Sequence, residues 1–243
     1  MKEFLRRLVT KELVGVYLGK GFFVMKGILR FLNICFQLIL MLVLPFWLLI
    51  RGAIFLYEKY DWWYGFGIMA TMAVVAFLLL IYVAMIWDAI FGPNKMSRKS
   101  IKGKMMFVLL LVVLYTGYTL FYLSGENTKS EDVKKEYVSL HPFMRMAVGT
   151  FVLLDKDMLI TDLSRAPEDY RKMGLPSKSK SLHYEQSSGY VHAMDLRTKG
   201  RTELRNQLIE YYFKALGFNT LRHTGTADHL HVSLSIKENP NAI

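Results

Sequence analysis

Three short stretches in the last third of the chain carry residue types that can do chemistry together: Ser181-Leu182-His183, His192-Ala193-Met194-Asp195 and Asp228-His229-Leu230-His231. They offer two neutral imidazole nitrogens and one carboxylate as ligands, with a spare carboxylate and two spare histidines beside them. A catalytic zinc ion asks for this inventory: three protein ligands, an open fourth position for water, and a base nearby. Local periodicity says which side chains can share a face. Tyr190–Leu196 alternates as a strand does, so Val191, Ala193 and Asp195 lie on one face and His192 on the other. Asp195 and His192 can both meet one metal only across a bulge. In the last stretch His229, His231 and Ser233 share a face opposite Leu230, Val232 and Leu234, which puts polar groups on a site and apolar ones on a core.

These pieces sit in a wider frame. Ile160-Thr161 is followed by Arg165-Ala166-Pro167-Glu168-Asp169-Tyr170, then Ser181-Leu182-His183, then Gly189 through Asp195, and finally Asp228 three positions before His231. In order and spacing this resembles the zinc peptidase family that groups D-alanyl-D-alanine carboxypeptidases, phage endolysins, lysostaphin-type enzymes and the zinc domain of hedgehog signalling proteins. The likeness covers about residues 139–236. It implies zinc held by His183, Asp195 and His231, with Asp228 as the catalytic carboxylate that takes a proton from water and passes it to the leaving amine. It also implies that His229 assists by hydrogen bonding near the metal. Arg165 would hold substrate or stabilise developing negative charge, and Ser181 is a weaker candidate for the same task. One spacing departs from the family. Eleven residues separate His183 from Asp195, where six are usual. Either an enlarged hairpin tip leaves both ligands in register, or His192 replaces His183 as ligand.

The elements that must position these groups are also readable. Between the last two stretches, Glu203–Leu216 carries Leu204, Leu208, Ile209, Tyr212, Phe213 and Leu216 on one stripe, with Gly217 as its stop, and predicts a helix packed on a sheet. Pro142 opens another helix, on which Phe143, Met146, Ala147, Thr150, Phe151 and Leu154 recur at helical spacing until Asp155. His141 and His223 read as structural or solvated. Residues 124–138 are mostly polar and read as a short exposed linker. The segment 139–243 thus predicts an α+β domain with a small antiparallel sheet, like that of hedgehog and the D-alanyl-D-alanine peptidases.

Upstream the character changes. Residues 1–124 hold 14 Lys/Arg against 5 Asp/Glu, and the remainder 17 against 15, so the excess of the +11 net charge belongs to the apolar half. Such charge reports membrane orientation and anionic lipid, and it shows no nucleic-acid stripe. Residues 1–30 mix seven Lys/Arg with apolar side chains and read as a basic interfacial segment. Three apolar runs at about 31–50, 66–91 and 105–123 are long enough to cross a hydrocarbon core of about 30 Å. Pro45 falls inside the first, and a Gly92-Pro93 stop ends the second, with Asp88 near that end as an interfacial residue. Tyr57, Tyr60, Trp62, Trp63 and Tyr64 cluster as an aromatic belt between the first two. Lys95, Arg98, Lys99, Lys102 and Lys104 then make the connector 92–104 basic, while 51–65 has only Arg51 and Lys59. Positive-inside counting places the N-terminus in the cytoplasm and the C-terminal domain outside the cytoplasmic, or inner, membrane. Cys35 is the single cysteine and has no internal partner for a disulfide.

Two functions follow. A membrane-anchored zinc peptidase would cut an amide bond in peptidoglycan stem peptides, a substrate found on the side where the domain is expected. A catalytically idle domain would instead serve as a binding or scaffold module in a membrane or envelope assembly. Membrane lipid is a partner of either. Three spans exceed what so small a domain needs as an anchor, which hints at a membrane-protein partner as well. A phosphoesterase of the paired His-x-Ser/Thr type, suggested by His231-Val232-Ser233, lacks the second such motif.

Overall fold

The apolar runs become three long helices because they are unbroken by turn residues. A computed structural model of the chain describes residues 2–91, 98–172, 174, 176, 181–225 and 228–234; within 2–24, 30, 34, 85–91 and 98–100 it describes the backbone alone. The Gly92-Pro93 stop and Lys95 lie outside the described residues. The chain divides into two units, 1–44 and 45–243, and the candidate site belongs wholly to the second.

Helix α1 runs Lys2–Tyr60 without interruption, even at Pro45, so the expected interfacial segment and first span form one helix. A short turn with Asp61 at φ 58° leads to α2, Tyr64–Phe91, and α3 spans Arg98–Phe121. Met25–Tyr60, Tyr64–Ala84 and Ile101–Phe121 are each long and apolar enough to cross a membrane. The first is longer than the sequence suggests. Arg51 and Glu58, two turns apart, pair at 3.5 Å, which lets the helix carry charge past residue 50. Small residues bring α1 and α2 together: a Cβ on Gly67 would lie 3.3 Å from the Ala53 carbonyl.

The stretch 124–138 is folded and packed rather than an exposed linker. It holds a 3-10 turn at Gly125–Asn127, the short helix α4 at Glu131–Lys135 and a second 3-10 turn at Glu136–Ser139. Its polar residues cap these turns. The Ser130 hydroxyl accepts from the Val133 N–H, and the buried Asn127 amide donates to the Lys156 and Met158 carbonyls at 2.7 and 2.9 Å. The Tyr137 hydroxyl lies 2.9 Å from the Thr119 carbonyl and ties the segment to α3.

Helix α5, Pro142–Leu154, is capped by the ring Nδ1 of His141, which accepts the Phe143 N–H at 3.3 Å. His141 is therefore structural. The helix is buried on nearly every side from Phe143 to Phe151, because it lies between α3 and the helix that follows β2; Leu154, expected in its core stripe, is 76 % exposed.

Next come β1 at Ile160–Asp162, α6 at Pro167–Lys172, β2 at Ala193–Arg197, α7 at Glu203–Leu216, β3 at Asn219–His223 and β4 at His229–Ser233. The strands form one antiparallel sheet in the order β1-β2-β4-β3. This small four-stranded sheet with flanking helices agrees with the expected α+β layout. Met194, Leu196, Leu230 and Val232 face a core shared with Ile209 and Phe213 of α7. Thr202 caps α7 at its start and Gly217, at φ 98°, stops it. Its burial differs from the single stripe expected: Ile209, Phe213 and Leu216 point inward, while Leu204 and Leu208 are 67 % and 56 % exposed.

Candidate metal centre

Sheet register brings the ligands together. Asp195 on β2 pairs directly with His231 on β4, so both project from the face opposite the core. His183 arrives from the loop before β2. The hairpin reading of the long 183–195 spacing is the one observed. Glu185 bridges to Val191, Gln186 and Gly189 close the tip with Gly189 at φ 76°, and the His192 N–H returns to the Leu182 carbonyl. His192 takes no part in the cluster. Strand alternation turns its ring to the other side, where it packs 4.9 Å from the ring of His141 and meets the Ser188 hydroxyl at 2.7 Å.

His183 Nε2, His231 Nδ1 and Asp195 Oδ1 form one cluster. The two ring nitrogens are 3.3 Å apart, and Asp195 Oδ1 is 2.9 Å from His231 and 3.4 Å from His183. His183 and Asp195 are buried and His231 is half-buried. Among the described residues this is the one group of three or more Asp, Glu, His and Cys side chains able to hold a metal ion.

Two of the candidate ligands, His183 and Asp195, are held by a second layer of contacts. His183 Nδ1 lies 2.6 Å from the Leu163 carbonyl, so it carries the proton and leaves Nε2 with its lone pair outward. Asp195 divides its oxygens: Oδ1 serves the cluster, and Oδ2 accepts from Arg165 Nη2 at 2.5 Å. Burial pushes the Asp195 carboxyl up, but its polar contacts with the His183 and His231 rings and the Arg165 charge outweigh it. The group is held well below the usual carboxylate range. It is anionic, as a ligand must be.

Arg165 is committed more fully than a substrate-binding role suggests. Its Nε donates to Asp162 at 2.8 Å, Nη1 reaches the Tyr170 hydroxyl at 3.4 Å, and Nη2 holds Asp195. Its side chain is only 17 % exposed. It therefore positions Asp195. Ser181 is likewise occupied: its buried hydroxyl pairs with the Tyr170 hydroxyl at 2.9 Å and accepts the His183 N–H at 3.3 Å, which fixes the loop that delivers the ligand.

Asp228 stands apart from the cluster. Three residues before His231, it shares the parity of Leu230 and Val232 rather than that of His229 and His231. There its Oδ1 accepts from the Thr198 hydroxyl at 2.6 Å and from Arg222 Nε at 2.8 Å, and its Oδ2 from Arg222 Nη2 at 3.0 Å. Those hydrogen bonds, Arg222 foremost, pull its pKa to about 2. A carboxylate so engaged is a weak proton acceptor. His229 is nearer, with Nε2 3.8 Å from Asp195 Oδ2 and its ring stacked on His223 at 4.8 Å.

Sequence reasoning missed Asp162. It faces Asp195 across β1 and β2 through a register shift between Ile160 and Asp162, and it supplies half of the clamp on Arg165. No local pattern announces that shift. No known protein family, curated protein or solved structure matches this chain.

Proposed function

We propose that this chain is a membrane-anchored zinc peptidase that hydrolyses an amide bond in peptidoglycan stem peptides, as a D-alanyl-D-alanine carboxypeptidase or a related endopeptidase. The observation that carries the reading is the convergence of His183, Asp195 and His231. Zinc suits this set. Bonds of roughly 2.0–2.2 Å at tetrahedral angles separate ligand atoms by about 3.3 Å, and here they stand 2.9, 3.3 and 3.4 Å apart. Bound zinc supplies an electrophile and brings the pKa of water to about 7.

The rest falls to the chain's own residues. Arg165 and Asp162 keep the Asp195 carboxylate turned toward the histidines. His229, partly exposed beside the cluster, accepts the proton and returns it to the departing amine. Asp228, the family's usual carboxylate, orients the start of β4 through Arg222 and Thr198. The choice of peptidoglycan is supported by the order of motifs and by the basic loops, whose charge favours an N-terminus in the cytoplasm and a domain outside.

A second reading, an idle metal-holding scaffold module, draws on the engagement of Asp228 with Arg222 and Thr198. One experiment separates the two: zinc content of the full chain in detergent, with D-alanine release from a pentapeptide measured alongside. One zinc per chain and released D-alanine, both lost in His183→Ala, Asp195→Ala and His231→Ala, support the peptidase. Zinc without cleavage of pentapeptide or whole sacculi supports the scaffold, and absence of zinc overturns both.

A further inference from the structure

Helix α7 has two apolar faces, and the sheet explains only one of them. Ile209, Phe213 and Leu216 fill the core, yet Leu204, Leu208 and Tyr211, spaced four and three apart, form a line on the outer face at 67 %, 56 % and 67 % exposure. Leu153 and Leu154 at the end of α5 add a second exposed pair, at 50 % and 76 %. A grouped apolar surface of this kind implies an occupant.

The ends of α7 say where that surface lies. At its C-terminal end, Trp47 of α1 donates its indole N–H to the Ala215 carbonyl at 2.9 Å, and Arg51 lies 3.0 Å from where a Cβ on Gly217 would stand. Trp47 belongs to the apolar stretch Met25–Tyr60, one turn before its Arg51–Glu58 pair. Those 36 residues would measure about 54 Å as a helix, well over a hydrocarbon core of about 30 Å. The charged Arg51–Glu58 pair assigns that excess to the C-terminal end, so the turns from Arg51 onward stand outside the hydrocarbon and Trp47 sits at its edge, where indoles concentrate.

At its N-terminal end, α7 is tied to the end of α5. Arg205 pairs with Asp155 at 2.5 Å, and Arg201 pairs with the same carboxylate. That end of α5 lies alongside α3 rather than beyond it. Its Thr150 hydroxyl bonds the Tyr115 hydroxyl, six residues before α3 stops at Phe121, and Gly149 abuts Thr119. Tyr115 in turn packs with its ring 4.8 Å from that of Phe46, the neighbour of Trp47. Both ends of α7 are thus fastened at the depth of the membrane edge.

We infer that α7 is an in-plane interfacial helix: Leu204, Leu208 and Tyr211, with Leu153 and Leu154, rest in the lipid of the leaflet on the domain's side. The surface is continuous with that of the spanning helices through Trp47. Arg205 and Lys214, on the two flanks of the stripe, stand at headgroup level. The domain is then seated on the bilayer rather than tethered above it. The metal cluster, on the opposite face of the sheet from α7, points away from the lipid.

The test uses the full chain in lipid nanodiscs, with Cys35→Ser and single substitutions Leu204→Cys, Leu208→Cys or Arg197→Cys carrying an environment-sensitive fluorophore. All three positions are exposed, so the label leaves the core intact. The expected result is blue-shifted emission at Leu204→Cys and Leu208→Cys, quenched by doxyl-labelled phosphatidylcholine and shielded from iodide, with Arg197→Cys showing the reverse. Labels at Leu204→Cys and Leu208→Cys as open to iodide as the one at Arg197→Cys would overturn the inference. Disulfide-linked dimers of the unlabelled Leu208→Cys protein at high lipid dilution would overturn it too, since a second copy would then cover the stripe.

Discussion

His183 Nε2 and His231 Nδ1 face each other across 3.3 Å, although they lie 48 positions apart in the chain. Two neutral ring nitrogens at that distance do not attract each other through their lone pairs, so something positive must sit between them, either a shared proton or a cation. The His183 tautomer is fixed by the Leu163 carbonyl, and Asp195 Oδ1 closes the third side. A proton satisfies only one such contact at a time. A divalent ion satisfies all three together, which is the physical reason to expect a metal here.

The clamp on Asp195 should be visible in metal affinity. Arg165→Lys keeps the charge but loses the planar fork that spans Asp162 and Asp195. Zinc affinity of the full chain, measured by chelator competition, is expected to fall about 10–100-fold, the usual effect of losing an outer-shell partner. Asp162→Asn should act in the same direction through the same guanidinium. The thermal midpoint of the metal-free protein separates this from a folding defect: it should move little compared with affinity. Unchanged affinity in Arg165→Lys would show that Asp195 needs no positioning.

The proton carrier can be identified by comparing two neighbours. If His229 handles the proton, His229→Gln should lower kcat by about 10²–10⁴-fold with zinc content unchanged. Asp228→Asn should leave kcat within a few-fold and chiefly lower the thermal midpoint, because Arg222 loses its charged partner and one of its two acceptor oxygens. The opposite pattern, with Asp228→Asn inactive and His229→Gln active, would mean that Arg222 releases Asp228 when substrate binds.

Much of this was legible beforehand, and the exceptions share a cause. Apolar run length announces α2 and α3, Gly217 marks the end of α7, and the alternation of His229, His231 and Ser233 sets the site face. What was hidden depends on partners distant in sequence. The continuation of α1 to Tyr60 packs against the domain, as Arg51 beside Gly217 and Tyr57 beside Phe143 illustrate. Residues 124–138 look like a loop because Ser130 and Asn127 are polar, but both side chains cap or bridge backbone. Asp228 looks catalytic by spacing alone; parity and Arg222 place it elsewhere.

Acid sensitivity should be traceable to Asp155. Burial raises its carboxyl, but hydrogen bonds from Arg201 and Arg205 outweigh that and leave it below its ordinary 3.8. A depressed carboxyl stabilises the fold in full above the unfolded-state value and loses that contribution as pH falls through the lower folded-state value. The expected loss therefore begins near pH 4 and completes below it. Asp155→Asn should cost about 2 kcal/mol at pH 7 and converge with wild type in strong acid. Parallel thermal midpoints for the two proteins from pH 7 to pH 2.5 would remove Asp155 from the account.

The contact between α5 and α3 depends on a missing side chain. A Cβ at Gly149 would lie 3.0 Å from the Thr119 carbonyl oxygen and 3.1 Å from its Cα, both backbone atoms that cannot swing aside. Gly149→Ala should therefore force the helices apart, at a cost of about 1–3 kcal/mol as overpacking in a tight interface usually has. The same contact carries Thr150 to Tyr115 and Tyr137 to Thr119, so those bonds would stretch with it. Gly117, in α3 with nothing within 4 Å of its Cβ position, is the control. There Gly→Ala should gain about 0.5–1 kcal/mol from helix propensity. Thermal midpoints of Gly149→Ala and Gly117→Ala in one detergent decide the matter. If Gly149→Ala melts with or above wild type, α5 is not wedged against α3 as described, and the seating of α7 at the membrane edge loses one of its two supports.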